Sequence, residues 1–214
     1  MTNLTRSAAG MAAHEAANGA PTSGFSLCVY CGSRPGSHPA FGHLAHALGQ
    51  AIGKRGWQLV YGGGRAGLMG EVADAALAAG AKVVGVIPES LMRLEVGHAG
   101  LQELHVVDTM HQRKQMMAMR ADAFLAMPGG IGTFEELFEA WTWRHLGYHD
   151  RPIGLLDVQG YWAPLIAFLG QAVTAGFMDA DQMAMLNIDS DLDRLLDHLA
   201  SGGKRPSSDD FSLV

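Results

Sequence analysis

The residues from Asp122 to Trp143, DAFLAMPGGIGTFEELFEAWTW, constrain this chain more than any other stretch. An apolar run, DAFLAM, reads as a buried strand. Pro128-Gly129-Gly130-Ile131-Gly132-Thr133 breaks it, and FEELFEAWTWRHLG then resumes with helical periodicity. Strand, glycine-rich turn and helix N-terminus, in that order, make an anion site. The glycines let the backbone close on a ligand, and the unpaired N–H groups of the first helical turn point at it, with the helix dipole favouring negative charge. Three glycines in four residues, followed by Thr133 at the expected N-cap, exceed what a tight turn needs. The stretch therefore predicts a phosphate site.

Two carboxylates, Glu135 and Glu136, follow just inside that turn. Thr133-x-x-Glu136 is the pattern of a capping box, in which the acid only satisfies the backbone N–H of Thr133. Against that, two acids crowded beside a bound anion cost energy unless they act on it. From the residues alone, Glu136 is a helix cap or a catalyst.

The rest of the chain alternates in the same way. Strands are expected at Phe25–Cys31, Trp57–Tyr61, Lys82–Ile87, Glu103–Val107, Asp122–Met127 and Arg151–Leu156, with a short one at 185–188. Helices are expected over 39–55, 67–80, Thr109–Arg120, the segment after the Pro128 turn, 161–175 and 189–200, while Glu89–Gly100 has no clear period and reads as a loop. Apolar strands alternating with helices predict an α/β fold, a doubly wound parallel sheet of Rossmann-like type with helices on both faces. Residues 25–200 are expected to form a single nucleotide-binding catalytic domain, between a disordered N-terminal tail over 1–24 and a flexible C-terminal tail over 201–214. In such sheets ligands bind outside the carboxyl ends of the strands. Every glycine-rich turn here follows a strand, so the turns converge on one edge.

A second such turn is Tyr61-Gly62-Gly63-Gly64-Arg65. It lacks the spacing of a dinucleotide fingerprint, and no Walker GK[ST] occurs in the chain. Either it holds a nucleotide from a second side or it is purely structural. Met110-His111-Gln112-Arg113-Lys114 opens a helix with a capping box, Thr109 three residues before Gln112. Cations in a first turn oppose the helix dipole, which points to function. Arg113 can pair bidentately with a phosphate or a carboxylate, and Lys114 can neutralise charge. The alternative is a solvated basic turn, with His111 a surface or capping histidine.

Several function classes are excluded by totals. A net charge of −6 argues against a nucleic-acid surface, and no apolar run is long enough to cross a membrane. Residues 1–24 lack the apolar core of a secretory signal. The two cysteines, Cys28 and Cys31, lie three apart on an expected strand and so point to opposite faces, which suits neither a zinc site nor a disulfide and fits a reducing cytoplasm. No metal site is expected. Trp141, Trp143 and Leu146 are too apolar for a solvent face and read as core or as a seam with a second subunit.

GGGRAGLMG (62–70), MHQRK (110–114) and PGGIGTFEE (128–136) resemble, in order and spacing, the LONELY GUY (LOG) family of cytokinin riboside 5′-monophosphate phosphoribohydrolases. CGSRPG, VVGVIPESLM, EAWTWRHLGYHDRPIGLL and AVTAGF extend the resemblance from about Cys28 through Phe177. Members long carried a lysine decarboxylase label, but nothing in these residues points to a pyridoxal phosphate site. The resemblance implies hydrolysis of the N-glycosidic bond of an adenosine 5′-monophosphate, often N6-prenylated, to free base and ribose 5-phosphate, without cofactor or metal. It implies Arg113 and Glu136 as the catalytic pair. Glu95, Arg113, Lys114, Gly130, Ile131, Gly132, Thr133, Phe134, Glu135, Glu136 and Thr142 match substrate-binding positions. Thr142 lies seven residues after Glu135 and so shares its helical face, which leaves open which acid faces the ribose. A nucleotide is the expected partner, together with a second copy of the chain as a homodimer. The rival readings are a nucleoside monophosphate N-glycosidase of broader range and a nucleotide-binding module without turnover.

Overall fold

The computed structural model describes residues 24–95 and 97–203. The elements follow in the order β1 (Ser26–Tyr30), α1 (Pro39–Lys54), β2 (Gln58–Tyr61), α2 (Gly67–Ala78), β3 (Lys82–Pro88), α3 (Glu89–Glu95), β4 (Glu103–Val107), α4 (Met110–Met119), β5 (Ala123–Ala126), α5 (Ile131–His145), β6 (Ile153–Leu156), α6 (Ala163–Thr174), α7 (Ala180–Met183), β7 (Leu186–Asp189) and α8 (Leu192–Gly202). The strands form one seven-stranded sheet in the order β4-β3-β2-β1-β5-β6-β7. Every neighbouring pair is parallel. The expected α/β class and the expected strands are therefore present.

Period-two alternation along β1 divides the core between the two faces of the sheet. Leu27 and Val29 pack with Leu48, Leu59, Leu125 and Leu196 on one face, while Cys28 and Tyr30 pack with Val60, Phe124, Met117 and Trp162 on the other. Cys31 belongs to the first face and Cys28 to the second, and both are free and buried. Trp141 and Trp143 are core residues of the second face. Leu146 is not; it stands 56% exposed.

The strand order places the site. The chain steps outward from β1 through β2 and β3 to β4, then returns to lay β5 against the other side of β1 and continues outward to β7. The connections leaving β1 and β5 therefore run in opposite directions. Such a switch point opens a crevice at the carboxyl edge.

The elements differ from the expectation in three places. Glu89–Gly100 is not all loop, because Glu89–Glu95 forms α3 directly after Pro88. Seven residues are too few for a helical stripe to be legible. The four-residue α7 was not expected at all; it is closed by a capping box between Asp179 and Gln182. The last helix begins later and ends later than 189–200, with Asp191 as its N-cap and Gly202 as its last residue. Of the tails expected over 1–24 and 201–214, residues 1–23 and 204–214 lie outside the described residues, and Ser201 and Gly202 belong to α8.

One buried histidine fixes how α5 returns to the sheet. His149 is 4% exposed. Its Nδ1 accepts the backbone N–H of Arg151 at 3.1 Å, which leaves the ring proton on Nε2 to donate to the Ala140 carbonyl at 3.0 Å. Burial holds the ring neutral and pulls its pKa from 6.5 to about 4. Because the unfolded chain takes up this proton first as pH falls, the stability tied to the neutral ring is full above about pH 6.5 and is lost toward pH 4. Between pH 7 and pH 5 the loss amounts to about 2 kcal/mol. Urea unfolding of the wild type and of His149→Gln at both pH values should show their stability difference shrinking by that amount at pH 5; a pH-independent difference would refute the assignment.

Candidate active site

The loops at the switch point are stitched to one another by backbone. The Met127 N–H donates to the Tyr30 carbonyl at 2.9 Å, the Gly32 N–H to Pro128 at 3.1 Å, and the Leu68 N–H to Gly32 at 3.0 Å. The turns after β1, β2 and β5 thereby become one rigid rim. Between them lies a cleft of about 570 Å³. Its walls include Ser33 and Arg34 after β1, Leu68 and Met69 of α2, Arg113 of α4, and Gly130 to Thr133 and Glu136 of α5.

The glycine-rich end of this cleft is built differently from the expectation. The N-cap of α5 is Gly130, with no side-chain capping bond, and the helix starts at Ile131. Thr133 is thus already inside the helix and is 3% exposed. It lies against the preceding turn, where a Cβ added at Gly129 would fall 2.1 Å from its Oγ1. The Phe134 N–H closes the first helical bond, to Gly130, at 3.1 Å. The N–H groups ahead of it have no carbonyl to reach within the helix and are presented at the cleft. With Thr133 removed from the N-cap, the Thr133–Glu136 capping box falls away. Glu136 sits one turn further on.

Glu136 reaches the cleft and meets Arg113. Its Oε1 lies 3.7 Å from Nη2 of Arg113, and the two side chains are 11% and 7% exposed. Arg113 is delivered by α4, whose start is fixed as expected: Thr109 Oγ1 accepts the Gln112 N–H, and Gln112 Oε1 accepts the Thr109 N–H, each at 3.2 Å. Nη2 of Arg113 also donates to the Gly62 carbonyl at 3.3 Å. Its Nε is buried without a hydrogen-bond partner. A guanidinium this deep, with a donor unspent, is a candidate for contact with a ligand. Below the pair, burial and then the charge of Glu136 push the Cys31 thiol well above its ordinary pKa, so it stays neutral.

The second glycine turn has a structural task. A Cβ at Gly62 would stand 2.0 Å from Arg113 Nη2. Only glycine leaves room there for the guanidinium, and its carbonyl then holds it.

Of the residues expected at the site, the structure brings Arg113, Gly130, Ile131, Gly132, Thr133 and Glu136 together around the cleft. It takes others elsewhere. Lys114 turns to α5, where its ammonium bonds Glu135 and, at 2.8 Å, Glu139. Burial opposes that charge, but the two carboxylates outweigh it and raise the Lys114 pKa. Phe134 packs edge-to-face on Trp162, with ring centroids 6.0 Å apart, and Thr142 is exposed on the outer side of α5. Glu95 ends α3, and its side chain lies outside the described residues. Between the two acids, Glu136 is the one at the cleft. Ser33 and Arg34 went unread because nothing in the sequence says that β1 lies mid-sheet next to β5. Tyr161, whose hydroxyl bonds the Gly129 carbonyl, carried no signal at all.

Known proteins are similar to this chain. A family model described as "Possible lysine decarboxylase" matches residues 69–199. A probable cytokinin riboside 5′-monophosphate phosphoribohydrolase from Oryza sativa subsp. japonica is 50% identical over 155 residues, which cover 72% of this chain and 70% of the relative. A cytokinin riboside 5′-monophosphate phosphoribohydrolase from Rhodococcoides fascians is 51% identical over 154 residues, covering 72% and 78%. Among solved structures, a molybdenum cofactor binding protein from Rippkaea orientalis superimposes with a TM-score of 0.62 at 21% identity, over 83% of this chain and 96% of that one. A Moco carrier protein from Chlamydomonas reinhardtii does so with a TM-score of 0.62 at 20% identity, over 83% and 98%. At those identities the structures share the fold.

Two neighbouring glycines should behave oppositely. A Cβ at Gly129 meets Thr133 Cβ at 2.7 Å and the Gly32 amide at 2.8 Å, whereas one at Gly130 meets nothing within 4 Å. Gly129→Ala should therefore cost about 1–3 kcal/mol in urea unfolding, and Gly130→Ala only the N-cap preference of glycine over alanine, about 0.5 kcal/mol. Equal costs would contradict the turn geometry.

Proposed function

This chain belongs to the LOG family of cytokinin riboside 5′-monophosphate phosphoribohydrolases, and from that premise we propose that it hydrolyses the N-glycosidic bond of adenosine 5′-monophosphate and its N6-prenylated forms, releasing the free base and ribose 5-phosphate. The single observation that carries the reading is the buried Arg113–Glu136 pair, 3.7 Å apart, opening into a cleft whose floor is the N-terminus of α5. The phosphate is held by the N–H groups of Gly130 to Thr133, where the dipole favours its charge. That fixed end positions the ribose, so binding energy far from the reacting carbon aligns C1′ against Glu136.

The reaction then needs one negative group and one donor set. As the bond between C1′ and N9 lengthens, its electron pair leaves with the base and positive charge builds on the sugar, as in other glycoside hydrolysis. The Glu136 carboxylate stabilises that charge and orients the attacking water. The water oxygen bonds C1′, one of its protons is released, and one proton is taken up by the departing base. Arg113 orients Glu136 from 3.7 Å, and its unspent Nε–H is available to the ligand. No step requires a metal or cofactor in this reading.

The catalytic unit proposed is the single domain over residues 25–200, acting in the cytoplasm as a homodimer. The seam proposed differs from the one expected on α5, since Trp141 and Trp143 are core. It is α6 and the turn after it: Leu169 is the buried residue of α6, while Phe168 is 63% and Phe177 90% exposed. A second copy of the chain would cover an apolar face of this kind.

Two measurements check the proposal. Glu136→Ala and Arg113→Ala should each lower turnover of AMP or N6-prenyl-AMP by about 10²-fold or more, the scale of losing one electrostatic stabiliser. Chromatography of the released base across a panel of nucleoside monophosphates reads this directly, and wild-type rates in either variant would defeat the roles. Light scattering should give a dimer for the wild type and a monomer for Phe177→Asp; a wild-type monomer at working concentration would refute the seam.

A further inference from the structure

His98 lies outside the cleft, three residues past the end of α3, with a ring that is 5% exposed. Both of its ring nitrogens are spent. Nδ1 accepts the Gly100 N–H at 3.2 Å, so the proton sits on Nε2, which donates to Asp74 Oδ1 on α2 at 2.9 Å. The backbone is used as well: the His98 N–H donates to the Gly63 carbonyl at 3.0 Å, and Gly97 makes an antiparallel bridge with Gly64. The strap from 97 to 101 is thus tied to α2 and pressed along the turn after β2. That turn is the one whose Gly62 carbonyl receives the Arg113 guanidinium.

We propose that His98, held by Asp74, is a positioning residue for Arg113: it clamps the 97–101 strap onto the Gly62–Gly64 turn, and the turn sets the guanidinium against Glu136. The proposal rests on the hydrolase reading above for its kinetic consequence, though the clamp itself does not. The Arg113–Glu136 separation of 3.7 Å shows why small displacements matter. The pair is not closed by a direct hydrogen bond, so its geometry is set by what holds each partner. A misplacement of about 1 Å at such a group costs up to about 10²-fold in rate. A histidine that only fills the core would, when replaced, lower stability and leave the turnover of folded molecules unchanged.

The side chain of Asp74 is 59% exposed, so variants there leave the core intact. With AMP as substrate, Asp74→Ala and His98→Ala should each lower kcat about tenfold per folded molecule, with KM within about twofold. Asp74→Asn should restore most of the loss, because its amide oxygen still accepts from Nε2. Adding His98→Ala to Arg113→Ala should cost nothing further, since the positioned group is already gone. A further tenfold loss in that background, or unchanged kcat in both alanine single variants, overturns the proposal. If the wild type releases no base from any nucleoside monophosphate, the hydrolase reading fails by itself. Hydrogen exchange then judges the clamp: His98→Ala should speed exchange at residues 62–65 as well as 97–101 while leaving β5 protected, and unchanged protection at 62–65 overturns it.

Discussion

Everything at this site depends on keeping two opposite charges buried without letting them fully neutralise each other. Arg113 and Glu136 are almost wholly removed from water, yet 3.7 Å separates their nearest atoms. Burying such ions costs several kcal/mol each unless their lone pairs and protons find partners. The surrounding fold supplies part of that compensation through the Gly62 carbonyl. The Nε of Arg113 is buried without a hydrogen-bond partner. A surface pair of the same residues would be screened and would do little.

The sheet order makes that burial feasible. With β1 and β5 side by side in the middle of seven strands, both charges sit over the best-covered part of the core. The divergence of the β1 and β5 connections keeps a crevice open above them. α4 and α5 then approach from one face of the sheet, α4 bringing the cation and α5 the carboxylate with its dipole end. Lys114 braces the two helices against each other through Glu135 and Glu139. Tyr161 braces the turn from the far wall.

How much of this could be read in the sequence varied with the range of the interaction. Strands and helices with a full period were legible, since they depend on local patterning, and so was the capping box at Thr109. The same pattern at Thr133 misled: a glycine-rich turn lets a helix start earlier than its first hydroxyl, and the true N-cap is Gly130. That one shift removes the capping box expected between Thr133 and Glu136. α3 and α7 escaped for lack of length. Ser33, Arg34 and the clamp at His98 escaped because each depends on which strands become neighbours, which no local period encodes.

In the proposed complex the first turn of α5 seats the 5′-phosphate and places C1′ over Glu136. A crystal structure of the Glu136→Gln variant with AMP bound tests it most directly. Phosphate oxygens should lie about 2.7–3.2 Å from the N–H groups of Gly130 to Thr133, with C1′ facing the side chain at 136 and Arg113 beside it. A nucleotide seated with its phosphate away from that turn, or its ribose away from residue 136, would contradict it.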